Sequence, residues 1–123
     1  MIDSKLIDSS IWLEYIINGG FKDIIDSESS LILSTLSLFE IKKKMLLNKY
    51  AKQDIKKSLD FIKSKSLLMS PSVELCEKAA DISVKNKLPM ADSIIYTTAL
   101  ESKCKVFTLD NHFKNLEHAK VLD

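Results

Sequence analysis

Four acids in this sequence stand where their type and spacing could do chemistry. Asp8 follows Lys5-Leu6-Ile7, and Asp110 follows Val106-Phe107-Thr108-Leu109. Each closes a short apolar run that reads as a buried strand. Taken singly, an aspartate at such a strand-to-helix turn is best read as a helix cap or an Asx turn. Asp92 lies in Leu88-Pro89-Met90-Ala91-Asp92, in the first turn of a predicted helix. An acid there stabilises the helix dipole by about 0.3–1 kcal/mol. Asp92 also heads the stripe Asp92, Ile95, Tyr96, Ala99, which directs it along the buried face. No lysine shares that stripe, and an unpaired carboxylate there is costly, so a metal ion is a reasonable partner. Glu40 ends Ser37-Leu38-Phe39-Glu40, a capping-box spacing, and stands four residues before Lys44. From spacing alone Glu40 reads as structural.

Brought together, the four acids would have one shared use. Clustered carboxylates repel one another unless they bind cations, and oxygen-only ligands suit Mg²⁺ or Mn²⁺ rather than zinc. Such an ion binds phosphate oxygens, lowers the pKa of a bound water and stabilises in-line displacement at phosphorus. Competing chemistries lack their residues. His112 and His118 have no Ser-His-Asp or Cys-His context and read as ordinary loop or surface histidines. Nucleotide-cradling glycine loops are absent. Trp12 and Phe39, at helical spacing, read as core rather than as base-stacking platforms.

Positioning these acids requires a particular order of elements. Strands are predicted at Lys5–Ser9, Leu31–Ser34, Leu67–Met69, Lys105–Leu109 and His118–Leu122. Helices are predicted over Ser10–Ile17, Phe21–Asp26, Thr35–Asn48, Ala51–Lys63, Pro71–Asn86 and Pro89–Ser102, with Gly19-Gly20 stopping the first. Short apolar strands alternating with helices imply a mainly parallel sheet of four or five strands, covered by helices on both faces. Ligands of such folds bind outside the carboxyl ends of the strands, at a topological switch point. Asp8 and Asp110 stand at such ends.

Composition is consistent with this reading. A chain of 123 residues with 46% hydrophobic content fits one domain with a real core, over residues 1–123. With two glycines and two prolines, a many-turned β-sandwich is a poor candidate. A net charge of +1 excludes a uniformly basic nucleic-acid binder but not a basic patch. Residues 1–41 carry net −5, residues 42–65 net +7 and residues 66–123 net −1. The lysine run, with Lys42, Lys43, Lys49 and Lys52, reads first as a solvated helix face and second as a polyanion-binding face. All 18 cations are lysine, so any phosphate contact lacks a bidentate guanidinium. Met1-Ile2-Asp3-Ser4-Lys5 is unlike a signal peptide, and no run spans a bilayer. Cys76 and Cys104 form neither a zinc spacing nor a disulfide framework, so a cytoplasmic protein with free thiols is expected.

The motifs in order are similar to a known family. Leu6-Ile7-Asp8-Ser9-Ser10-Ile11-Trp12, Ser37-Leu38-Phe39-Glu40-Ile41, Leu88-Pro89-Met90-Ala91-Asp92-Ser93-Ile94-Ile95 and Phe107-Thr108-Leu109-Asp110-Asn111-His112-Phe113 resemble the PIN-domain family, most closely its small VapC-type toxin ribonucleases. The resemblance runs from Ile2 to about Leu122. It implies a three-layer α/β/α domain and a metal-dependent endoribonuclease leaving a 3′-hydroxyl and a 5′-phosphate. Its acids carry over to Asp8, Glu40, Asp92 and Asp110, which lifts Glu40 above its structural reading. On this reading Asp8, Asp92 and Asp110 hold Mg²⁺ or Mn²⁺, and Glu40 orients or deprotonates the attacking water. Thr108 matches the family's hydroxyl before the last acid, and Ser10 lies near the first; both are expected to assist at the substrate. The resemblance further implies a homodimer and a small cognate antitoxin. The rival reading is a PIN-like protein-interaction module with little turnover. A phosphoryl-accepting domain would want paired acids after strand one, which Asp8-Ser9-Ser10 does not supply.

Overall fold

The computed structural model describes residues 3–123; Met1 and Ile2, the first residues of the sequence-based reading, lie outside the described residues. Its strands are β1 Ser4–Ile7, β2 Ser30–Ser34, β3 Ser66–Met69, β4 Lys105–Thr108 and β5 Ala119–Val121. They form one parallel sheet in the order β3-β2-β1-β4-β5. The helices are α1 Ser9–Asn18, α2 Lys22–Ile25, α3 Thr35–Leu47, α4 Lys52–Lys65, α5 Val73–Asn86 and α6 Met90–Glu101, with a 3₁₀ turn at Asn111–Phe113. This is the expected α/β architecture, with bounds shifted by one or two residues. The first strand stops at Ile7 rather than Ser9, because Asp8 and Ser9 already open α1.

Strand periodicity distributes the core between two faces. Leu6 pairs in register with Ile32 and Val106, and all three pack with Leu88, Ile95, Ala99 and Phe113. Their neighbours Ile7 and Leu33 turn to the opposite face, against Ile11, Trp12, Ile41, Met45, Ile55 and Ile62 of α1, α3 and α4. Trp12 is fully buried, as its spacing predicts. Helix α1 ends at Gly19, whose φ of 72° lies in the left-handed region, where glycine carries no Cβ penalty.

From the central β1 the chain goes to β2 and β3 on one side and to β4 and β5 on the other. The switch point therefore lies between β1 and β4, at their carboxyl ends.

Two local expectations for α3 are corrected. Its N-cap is Ser34, whose hydroxyl accepts the Leu36 N–H at 3.3 Å, while Ser37 lies inside the helix and is fully buried. The capping box Ser37–Glu40 therefore does not form. Phe39 is 68% exposed rather than core, with the Lys43 ammonium 5.8 Å from its ring centre. Neither cysteine is bridged; Cys76 is exposed and Cys104 buried. Among the described residues, no helix is long and apolar enough to cross a membrane.

Candidate active site

The turn after β1 separates backbone capping from side-chain function. The Asp8 carbonyl accepts the Ile11 and Trp12 N–H groups that begin α1, and the Asp8 N–H donates to the Phe107 carbonyl at 3.0 Å. The carboxylate makes no cap. It is buried and turned toward β4, where the Thr108 hydroxyl donates to Oδ2 at 2.7 Å and the Ser10 hydroxyl donates to the same oxygen at 3.0 Å. The helix-cap reading of Asp8 thus holds for the backbone and fails for the side chain.

Those two hydroxyls also hold the opposite loop. Ser10 Oγ accepts the Leu109 N–H at 3.0 Å, and Thr108 Oγ1 accepts the Asp110 N–H at 3.0 Å. The pair ties the segment that carries Asp110 to the carboxylate of Asp8. Thr108, expected to assist at the substrate, is fully buried and bonded to both Asp8 and the Asp110 backbone. Ser10 is half-buried and makes the corresponding bonds to Asp8 and the Leu109 backbone.

Asp110 follows β4 and caps the 3₁₀ turn, its Oδ1 accepting the His112 N–H at 2.9 Å. Asp92, half-buried in the first turn of α6, reaches the same place. The His112 ring Nδ1 lies 2.9 Å from Asp92 Oδ2 and 3.3 Å from Asp110 Oδ1. The expectation of an ordinary loop histidine is corrected here, because His112 stands between two of the predicted acids. It is also the neighbour that meets Asp92, which no lysine does. Spacing alone contained one signal for it: two residues after Asp110, it falls in the turn that the acid itself caps.

Glu40, on the second turn of α3, completes the group. Burial raises its pKa, and the charges of Asp8, Asp92 and Asp110 push it further up, against a hydrogen bond with Ser9 that lowers it. Burial also raises Asp8, with the Thr108 and Ser10 hydroxyls and the Ser9 N–H pulling back and Asp110 adding repulsion. Asp92 is raised by burial and by Asp110, partly offset by its hydrogen bond to His112. His112 is raised in turn, first by that bond and then by the charge of Asp110. These shifts have one shared cause: carboxylates from β1, α3, α6 and the β4 turn crowd a desolvated edge. The Glu40–Lys44 ion pair expected from spacing is not formed among the described residues.

The lysines lie elsewhere. Lys42 and Lys43 line a shallow apolar pocket with Phe39, Leu46 and Leu47 on the outer face of α3. Lys42 and Lys52 edge a groove between α3 and α4 floored by Leu46, Ile55 and Leu59. Lys49 occupies the turn joining those helices, at φ 59°. None of the four makes an ion pair among the described residues.

The donor set fits a divalent cation. One ligand atom each from Asp92, Asp110 and His112 lie within 4.8 Å of one another. The carboxylates that crowd them have raised pKa values, the electrostatic condition that a cation relieves.

Comparison with known proteins agrees with the fold. Among solved structures, a toxin–antitoxin complex from Klebsiella pneumoniae is similar at a TM-score of 0.78 and 16% identity, covering 95% of this chain and 96% of that chain. VapBC2 from Rickettsia felis, solved with a DNA fragment from their promoter, is similar at a TM-score of 0.78 and 14% identity, covering 98% and 99%. VapC20 from Mycobacterium tuberculosis, described as a Sarcin-Ricin loop cleaving toxin, is similar at 0.69 and 12%, covering 97% and 89%. Identities this low establish the shared fold alone. No curated protein matches the chain. The family model described as PIN domain matches residues 5–119. A match over nearly the whole sequence, on a sheet of this order, places the chain in the PIN domain family.

Proposed function

We propose that this protein is a metal-dependent endoribonuclease, the toxin of a toxin–antitoxin pair acting in the cytoplasm. The observation that carries the reading is the convergence of Asp8, Glu40, Asp92 and Asp110, from four separate elements, at the switch point of the sheet. Membership of the PIN family and likeness to structures of toxin–antitoxin complexes support it. Asp8, Asp92 and Asp110 would hold Mg²⁺ or Mn²⁺, which when bound supplies electrostatic stabilisation of the phosphorane-like transition state.

The chain's own residues then divide the remaining work. Thr108 and Ser10 hold the Asp8 carboxylate in one orientation and fasten the Asp110 loop to it. Glu40, its pKa raised by burial and three like charges, is a stronger base than a free carboxylate and is suited to take a proton from the attacking water. The water oxygen bonds to phosphorus as the P–O3′ bond breaks. The departing 3′ oxygen takes a proton from solvent, leaving a 3′-hydroxyl and a 5′-phosphate, and Glu40 returns its own proton to solvent. Lys42, Lys43, Lys49 and Lys52 attract the RNA backbone as point charges. The exposed Phe39, Leu46 and Leu47 on α3 give an antitoxin or a second copy of the chain an apolar surface to cover.

The test is cleavage of a mixed RNA pool in Mg²⁺, Mn²⁺ or EDTA. Wild-type protein is expected to cut in either metal and not in EDTA. Asp8→Asn and Asp92→Asn are expected to lose cleavage by about a hundredfold or more, as removal of an electrostatic group at a reacting centre does, with an unchanged circular dichroism spectrum. Full activity in either variant defeats the assignment. A folded wild-type protein without turnover, bound to its partner, would favour the interaction-module reading.

A further inference from the structure

We propose that His112 is itself a metal ligand, and that its ring nitrogen biases the acidic site toward Mn²⁺ over Mg²⁺. The inference rests on the metal-dependent reading above and sharpens it from a class of ions to one ion. Its basis is geometric. Donors about 2.1 Å from one octahedral ion stand roughly 3 Å apart when adjacent and about 4 Å apart when opposite. His112 Nδ1 is 2.9 Å from Asp92 Oδ2 and 3.3 Å from Asp110 Oδ1, and the three ligand atoms all lie within 4.8 Å of one another. Both histidine–carboxylate separations therefore match adjacent positions of one coordination shell, which a cation would enter by displacing the proton that Nδ1 shares with Asp92.

The ring is also placed by the fold. Asp110 accepts the His112 N–H at 2.9 Å, and the next residue, Phe113, is buried in the core. The backbone carrying the imidazole is thus held on both sides, although the ring itself is well exposed. An imidazole nitrogen is a poor ligand for Mg²⁺, which prefers hard oxygen donors and sheds water reluctantly. First-row transition ions accept nitrogen donors readily. Replacing one oxygen donor by nitrogen therefore weakens the case for Mg²⁺ and strengthens that for Mn²⁺.

The experiment uses full-length protein without a histidine tag, loaded with one equivalent of Mn²⁺ and read by pulsed electron paramagnetic resonance. Coupling to a ¹⁴N nucleus is expected in wild type and absent in His112→Asp. The signal is assignable because His118 lies at the opposite end of β4 and β5, against the Tyr96 ring. In parallel, Mn²⁺ affinity is measured directly and Mg²⁺ affinity by displacement. His112→Asp should bind both ions and lower the Mn²⁺/Mg²⁺ affinity ratio by about tenfold or more, the least that losing even an outer-shell partner commonly costs. Bound Mn²⁺ without ¹⁴N coupling, or an unchanged ratio in the variant, overturns the inference and leaves the acidic site standing. Asp92→Asn should weaken both ions; undiminished binding there would defeat the underlying site as well.

Discussion

Asp8 shows how one residue carries both a fold and a site. Its backbone starts α1 and its carboxylate is held by two hydroxyls, so removing its charge need not disturb either task. In Asp8→Asn the amide oxygen can take the place of Oδ2 and keep both donors. What the substitution removes is a buried negative charge beside Asp110. Because folding raises the Asp8 pKa, the ionised form is disfavoured in the native state. That cost is present in full above the native pKa and fades as pH falls through it toward the ordinary aspartate value. Asp8→Asn is therefore expected to melt higher than wild type at pH 7 in EDTA, by roughly 4 °C for each 1 kcal/mol relieved. The advantage should shrink as the buffer is taken toward pH 4. Thermal melts across that range check it, and a variant that melts lower at pH 7 would refute the repulsion argument.

At the scale of elements, α3 joins two different surfaces. Glu40, on its second turn, feels the charges of Asp8, Asp92 and Asp110, while Phe39, Lys42, Lys43, Leu46 and Leu47 line its outer side. Helix α4 buries Ile55 and Ile62 and turns Lys52 and Lys56 to solvent. Neutralising Lys42, Lys43, Lys49 and Lys52 together separates the meanings of this surface. A substrate face predicts weaker RNA binding and a salt slope reduced by roughly 0.7 for each lysine that contacts a single strand. Cleavage at saturating RNA should hardly change, because these charges attract substrate without touching the reacting phosphate. Filter binding across a salt series measures the slope. An unchanged slope ends the substrate-face assignment, and loss of partner or dimer association in its place would assign the surface to protein contacts.

The whole molecule places its acids on both sides of the switch point. Asp8 leaves central β1, Glu40 comes from the β2–α3 side, and Asp92 and Asp110 come from the α6–β4 side. A cation held there by Asp8, Asp92 and Asp110 would bind only the folded chain, because these residues lie far apart in sequence. Such a ligand at about a hundred times its dissociation constant stabilises by about 2.7 kcal/mol. That corresponds to a rise in melting temperature of roughly 10 °C for a chain of this length. Removing divalent ions with EDTA should lower the transition, and adding Mn²⁺ should restore it. A transition indifferent to both would contradict a shared metal site.

What depends on local order is legible in the chain. Strand and helix types followed from apolar periodicity, and Asp8 and Asp110 could be placed at strand ends because each closes its own apolar run. The site as a group was not local. Glu40 looks structural on α3 because its partners at helical spacing are Ser37 and Lys44; its acidic neighbours come from other parts of the chain. Phe39 departs from its expectation for a related reason: helical spacing shows that a stripe exists, but only packing selects which stripe faces the core. The contact of His112 with Asp92 carries no local mark because Asp92 lies twenty residues earlier, and crossing that gap needs α6 and β4 packed side by side. Tertiary structure alone decided these contacts, because parallel pairing and helix packing join residues that no local pattern relates.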